Sequence, residues 1–250
     1  MEGGGSAALQ LARDLLPGAP KRWPLLLALV AAYYAGKEVL PFLWQKSVKG
    51  DVAVITGGAG GIGRLMALRL AREGCKVVLL DINKAGLDAV AAEVAALGVT
   101  ARAYVCDVSK REDIYRVCKQ VEDDFGRVDI LINNAGIVGG KTLLEADDNR
   151  MELTIRINTM ALMWMTKALL PGMLRRNHGH VINVASSAGL VGVPGLVDYC
   201  ASKFGAVGFD ESLRIELKKL GTNVKTTCLC KWPCLFAPLR LALRRTETRD

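Results

Sequence analysis

VAVITGGAGGIGRLMALRLAREGCKVVLLD, residues 52–81, decides the fold. VAVIT is a short apolar strand without polar alternation, the texture of a strand covered on both faces. The glycine cluster TGGAGGIG, 56–63, follows at once and opens RLMALRLAREG, where apolar residues recur at helical spacing until Gly74. KVVLLD, 76–81, is a second strand of the same kind. Strand, glycine turn, helix and strand in this order form a βαβ unit, which sets two strands parallel.

The alternation continues outward. The pattern predicts a helix over 84–97, a strand over 101–106, a helix over 111–126 and a strand over 128–133. A long helical region over 148–176, a strand over 180–186, a helix over 199–220 and a strand over 223–230 complete it. The expected class is α/β: a Rossmann-type doubly wound parallel sheet with helices on both faces, a single domain over 51–230. The 250 residues, 51% of them hydrophobic, suffice for one full core and a short appendage. The 26 glycines are scattered through apolar segments, which excludes a low-complexity chain.

The formal charge of +8 is unevenly placed: residues 1–50 carry +3, residues 231–250 carry +3, and the body between them only +2. Basic ends beside apolar stretches suit an anionic membrane surface better than a nucleic-acid groove, and merely solvated termini account for them equally well. Seven cysteines show no C-x-x-C spacing. Cys75, Cys106, Cys118 and Cys200 lie in apolar contexts and read as reduced, buried thiols. His178 and His180, in a polar turn with no carboxylate partner in the sequence, are expected to be structural, and no metal site is expected.

Residues 1–22 form a soluble leader ending in Lys21 and Arg22. WPLLLALVAAYYAGKEVLPFLW, 23–44, would span about 33 Å as a helix, close to the ~30 Å hydrocarbon core of a bilayer. Trp23 and Trp44 stand where interfacial anchors stand, and Lys37, Glu38 and Pro41 interrupt the run. A retained membrane anchor is the expectation, spanning or monotopic. The alternative is an amphipathic helix packed on the domain.

The glycine turn has the context that phosphate binding requires, after a strand and at the start of a helix. Gly57 permits the tight turn, Gly61 lets backbone approach a pyrophosphate, and Gly63 lets the helix pack against the sheet. Asp81 ends the second strand twenty residues after Gly61. A carboxylate there accepts both ribose hydroxyls of an adenosine and repels a 2′-phosphate, which favours NAD over NADP. Asp107, at the end of the third strand, is expected either to meet the adenine or to cap a helix.

TGGAGGIG, NNAG at 133–136 and Tyr199-x-x-x-Lys203, in this order, resemble the short-chain dehydrogenases/reductases over residues 51–230. DINK, NHGHVINVASSAG and DYCASKF are similar to the membrane-associated branch holding retinol and 17-beta-hydroxysteroid dehydrogenases. The resemblance implies an oxidoreductase acting with NAD on a lipophilic alcohol or ketone, of steroid or retinoid type. It also implies a homodimer paired through the long helices, at the endoplasmic reticulum or a lipid droplet with the domain facing the cytosol. Tyr199 is then the acid–base group, Lys203 its charge partner, Ser186 the donor to the substrate oxygen (with Ser187 ranked second) and Asn158 the holder of a relay water. Gly57, Gly61, Ile62, Gly63, Asp81, Asp107, Val108, Asn133, Asn134, Ala135 and Gly136 become cofactor-lining positions, together with Tyr199 and Lys203. The chemistry is coherent. A free phenol is a poor base at neutral pH, and a neighbouring ammonium stabilises its phenolate. Residues four apart on a helix share a face.

The resemblance stops after NVKTTCLC. Lys231 stands where the family places proline, and KWPCLFAPLRLALRRTETRD, 231–250, offers neither the expected threonine nor a seventh strand. The tail reads as a different ending joined to a family body, which would uncover the substrate pocket. Two readings therefore stay open, a membrane-anchored dehydrogenase and a weakly active or inactive module that binds NAD or dimerises.

Overall fold

In the computed structural model, residues 47–231 are described, and those from Val48 onward belong to one unit. Six parallel strands run β1 (Val52–Thr56), β2 (Lys76–Asp81), β3 (Ala101–Val105), β4 (Ile130–Asn133), β5 (His180–Ser186) and β6 (Lys225–Lys231). Their spatial order is β3-β2-β1-β4-β5-β6. The helices are α1 (Gly61–Arg72), α2 (Lys84–Ala95), α3 (Arg111–Phe125), α4 (Asp148–Ile155), α5 (Ala161–Arg176) and α6 (Val197–Lys219). This is the doubly wound sheet expected from the sequence. The predicted anchor at 23–44 and the tail from 232 lie outside the described residues. Among the described residues, no helix is long and apolar enough to cross a membrane.

Strand composition follows position. Every residue of β1 and β4 is buried, and β2 is exposed only at its first residue, so these strands are apolar except at their ends, where Thr56, Asn133, Lys76 and Asp81 stand. β3 and β6, at the two edges of the described sheet, are half-exposed and carry arginine, threonine and lysine. Alternate residues of β1 serve opposite layers. Val52 and Val54 join Leu131, Val181, Ile114 and Val117 of α3, Met165 and Leu169 of α5, and Leu213 and Leu217 of α6. Ala53 and Ile55 join Ile132 and Val184, together with Ala67 and Ala71 of α1 and Leu87 and Val90 of α2. The period-two alternation of a strand thus sorts α3, α5 and α6 to one face and α1 and α2 to the other.

The predicted helical region over 148–176 is one rod with a fault. Arg156–Met160, between α4 and α5, winds as a single π turn. Asn177 ends α5 in the left-handed conformation, with φ of 50°. Its Oδ1 accepts hydrogen bonds from Asn223 N–H at 2.7 Å and the Thr222 hydroxyl at 3.0 Å, fixing the approach to β6.

His178 departs from expectation. Its Nε2 lies 3.8 Å from Asp51 Oδ1, so the turn does have a carboxylate partner, brought from 127 residues upstream in sequence by the start of β1. Asp51, Asp129 and His178 converge at the strands' amino ends. Arg127 and Arg176 face the same Asp129 carboxylate at 2.9 and 3.8 Å, so two guanidinium groups already compensate it.

A buried polar chain crosses the sheet. Asn133 Nδ2 donates to Asn183 Oδ1 at 2.8 Å, and Asn183 Nδ2 donates to Asp210 Oδ1 at 2.8 Å. The Thr226 hydroxyl reaches Asp210 Oδ2 at 3.3 Å. Burial raises the Asp210 carboxyl above the usual range, and the hydrogen bonds from Asn183 and Thr226 partly oppose it. Asn183→Ala leaves Asn133 and Asp210 without these partners in a buried site. It is expected to cost about 2 kcal/mol or more, read as a lower urea midpoint at unchanged slope. A loss below ~0.5 kcal/mol would contradict the assigned network.

Candidate active site

The chain reverses direction across the sheet at β1. From there β2 and β3 build one way, and β4, β5 and β6 the other. The carboxyl ends of β1 and β4 diverge at this point, opening the crevice in which such folds bind ligands. A cleft of about 430 Å³ occupies it. Gly57, Ala59, Gly60 and Ile62 line it from the β1–α1 turn, Asp81 and Asn83 from the end of β2, Asn134, Ala135 and Gly136 from the end of β4, and Lys231 from the end of β6.

The turn is shaped by glycine where no other residue fits. Gly57 has φ of 67°, and a Cβ on Gly63 would stand 2.1 Å from the Gly57 carbonyl oxygen. Only hydrogen at 63 allows α1 to begin this close to β1. Beside Gly60, by contrast, a Cβ would meet nothing within 4 Å, so the cleft side of the turn is open. No side chain caps α1 and its first turn holds no acidic residue. Its first N–H groups and the positive end of its dipole are left for an anion, which fits the pyrophosphate of a dinucleotide.

Asp81 braces this turn. Its Oδ2 accepts from Ala59 N–H at 3.1 Å and its Oδ1 from Asn83 N–H at 3.0 Å. Lone pairs remain on both oxygens at the cleft wall, as ribose hydroxyls require. Asn134 Nδ2 donates to the Thr56 carbonyl at 2.9 Å and the Gly57 carbonyl at 3.2 Å. The Thr56 hydroxyl oxygen receives the N–H groups of Asn134 and Ala135, each at 3.0 Å. Thr56 was not singled out in the sequence, although it is the first letter of TGGAGGIG; its role appears only once β4 lies beside β1.

Of the expected cofactor positions, Gly61, Gly63, Asp107, Val108, Asn133, Tyr199 and Lys203 are not among the residues lining the cleft. The Asp107 carboxylate is taken up locally, accepting from Ser109 N–H at 3.0 Å and the Ser109 hydroxyl at 2.6 Å, with Lys110 at 3.3 Å. Burial works to raise its pKa, but these partners hold it below the usual carboxylate range. Val108 is buried in the core layer shared by α3 and α5. Asn133 faces Asn183 and Thr166 rather than the cleft.

The remaining expected residues gather at the same edge. Ser186 ends β5, buried, with its oxygen accepting from Ala188 N–H at 3.2 Å, and Ser187 is buried beside it. Tyr199 and Lys203 lie one turn apart on α6, and the Lys203 ammonium stands 5.7 Å from the centre of the Tyr199 ring. Only 3% of Lys203 is exposed, and its Nζ donates to the Val184 carbonyl at 2.9 Å. Asn158 sits in the π turn. Its Oδ1 accepts from Ile137 N–H at 2.8 Å, and its Nδ2 reaches the Ile137 carbonyl at 2.9 Å and the Ser202 hydroxyl at 3.0 Å. Ser202, unremarked in the sequence, passes this on to the Tyr199 carbonyl at 2.7 Å. Gly136 joins the two groups: a Cβ there would lie 3.2 Å from Asn158 Oδ1 and 3.5 Å from Lys203 Nζ. The cleft and the phenol–ammonium pair are therefore adjoining parts of one site.

The model of the family described as short chain dehydrogenase matches residues 51–234. The chain belongs to that family. It is 46% identical to 17-beta-hydroxysteroid dehydrogenase 13 of Homo sapiens over 211 residues, covering 82% of this chain and 70% of the relative. It is 50% identical to epidermal retinol dehydrogenase 2 of Mus musculus over 190 residues, covering 74% of this chain and 61% of the relative. Among solved structures, NAD+-bound xylitol dehydrogenase superimposes with a TM-score of 0.71 at 34% identity, covering 75% of this chain and 72% of that one.

Burial, and after it the charge of Lys231, lowers the pKa of Lys203 from 10.5 to about 8. Between those values the folded chain binds fewer protons than the unfolded chain, so stability rises with pH across that window. Holding the ammonium buried at neutral pH corresponds to a cost of about 3 kcal/mol. Lys203→Met is expected to remove this rise, measured as urea midpoints at pH 7, 8.5 and 10. A rise that persists in the variant would assign the pH dependence elsewhere.

Proposed function

We propose that this chain is an NAD-dependent oxidoreductase that interconverts a lipophilic alcohol and its carbonyl compound. The observation that carries the reading is a buried ammonium beside a phenol, both adjoining a glycine-walled cleft through Gly136. The bound dinucleotide supplies the hydride acceptor or donor. Tyr199 takes the hydroxyl proton of the alcohol, or returns it to the carbonyl oxygen. Lys203 favours the phenolate by its charge, and Ser186 donates to the oxygen on which charge develops. Asn158 fixes the loop at Ile137, and a water held beside it would relay protons between Lys203 and solvent. Asp81, with lone pairs toward the ribose, favours NAD.

Exposed apolar side chains support a lipophilic substrate. Val138, Leu143 and Leu144 follow β4, and Leu190 and Val191 follow β5, each about half or more exposed and all on loops leaving the same edge of the sheet. Relatives named for hydroxysteroid and retinol substrates support it further. Attachment through residues 23–44 to an endoplasmic reticulum or lipid-droplet membrane, and pairing of two copies through the long helices, belong to the same proposal. The apolar run and the family resemblance support them.

The full chain should form NADH from a hydrophobic secondary or retinoid-type alcohol, and Tyr199→Phe should lower kcat at least 1,000-fold with NAD binding kept. NAD binding without turnover in the unaltered chain would overturn the enzymatic reading in favour of a binding module. Asp81→Ala should narrow the preference for NAD over NADP by at least tenfold in relative Kd, and an unchanged ratio would remove Asp81 from the ribose site.

A further inference from the structure

Lys231 ends β6 in register with Ser186 and lines the cleft beside Asn134, Ala135 and Gly136. Asp81 marks the opposite end, four strands away, roughly 19 Å at normal strand spacing. A dinucleotide with its ribose at Asp81 must put its hydride-carrying ring near Tyr199 and Ser186, and so toward Lys231. The ammonium at 231 also acts on Lys203, lowering its pKa after burial has done most of the work. Two cations therefore share the ring end of the cleft, one buried and one exposed.

The oxidised ring carries a positive charge and the reduced ring none, while the pyrophosphate charge is the same in both. A fixed cation at the ring end opposes the oxidised form selectively, whereas at the pyrophosphate it would strengthen both forms alike. We propose that Lys231 makes this chain a discriminator of cofactor oxidation state, holding NADH more tightly than NAD+ and so enriching the bound pool in the reduced cofactor. The inference rests on the reading of the cleft as the NAD site.

The test is equilibrium binding to the full chain, with NADH followed by its fluorescence and NAD+ by competition against it, for the unaltered protein, Lys231→Met and Lys231→Arg. The ratio of the NAD+ to the NADH dissociation constant should fall about tenfold in Lys231→Met and be kept in Lys231→Arg. Raising the salt concentration should shrink the ratio only where the cation is present. If the methionine variant weakens both nucleotides in proportion, the lysine serves the pyrophosphate and the inference is overturned. An unchanged ratio and unchanged constants overturn it equally. If neither nucleotide binds the unaltered chain, the NAD site itself falls, an outcome distinct from intact binding without discrimination.

Discussion

The clasp between the ends of β1 and β4 is the constraint on which the site depends. Asn134 donates to Thr56 twice, from its backbone N–H to the threonine hydroxyl and from its side-chain amide to the threonine carbonyl. It does so where the strand order reverses and the two strands must part. The carboxyl ends of the two strands are thus tied together beside the crevice. Gly57 and Gly63 then bring α1 against it, with its amino end unneutralised. Polar groups that would be costly if unpaired become a frame because each has a partner.

On that frame the chain sets an electrostatic tension. A lysine side chain removed from water favours its neutral form, and Lys203 is retained at this expense, donating to the backbone carbonyl of Val184. An ammonium whose pKa lies near neutrality exchanges protons readily, which an exposed lysine does not. Stability is given up beside the Tyr199 phenol and the glycine-walled cleft, a distribution common to functional sites.

Much of this was legible in the residues. The central strands announced themselves because both faces of each are covered, so no polar alternation interrupts VAVIT or KVVLLD. The glycine turn was legible because its constraint is local and steric. Long-range partners were not. The role of Thr56 depends on β4, 76 or more residues away, and that of Ser202 on Asn158. His178 looked unaccompanied because Asp51 approaches it only through the sheet. The local hold of Ser109 and Lys110 on the Asp107 carboxylate was likewise not legible, because adenine contact and helix cap place the same residue at the same strand end. A π turn has no marked composition and was read as unbroken helix.

That turn alters how the rod can be used. One additional residue per turn offsets the angular phase of everything beyond it by about 100°. Asn158 can thereby look toward Ile137 while Met165, Leu169 and Met173, farther along, point into the core. A regular helix through the same place could satisfy only one of these allegiances. The extra residue works as a universal joint, letting a single rigid element hold the Ile137 loop at one end and fill the hydrophobic interior at the other.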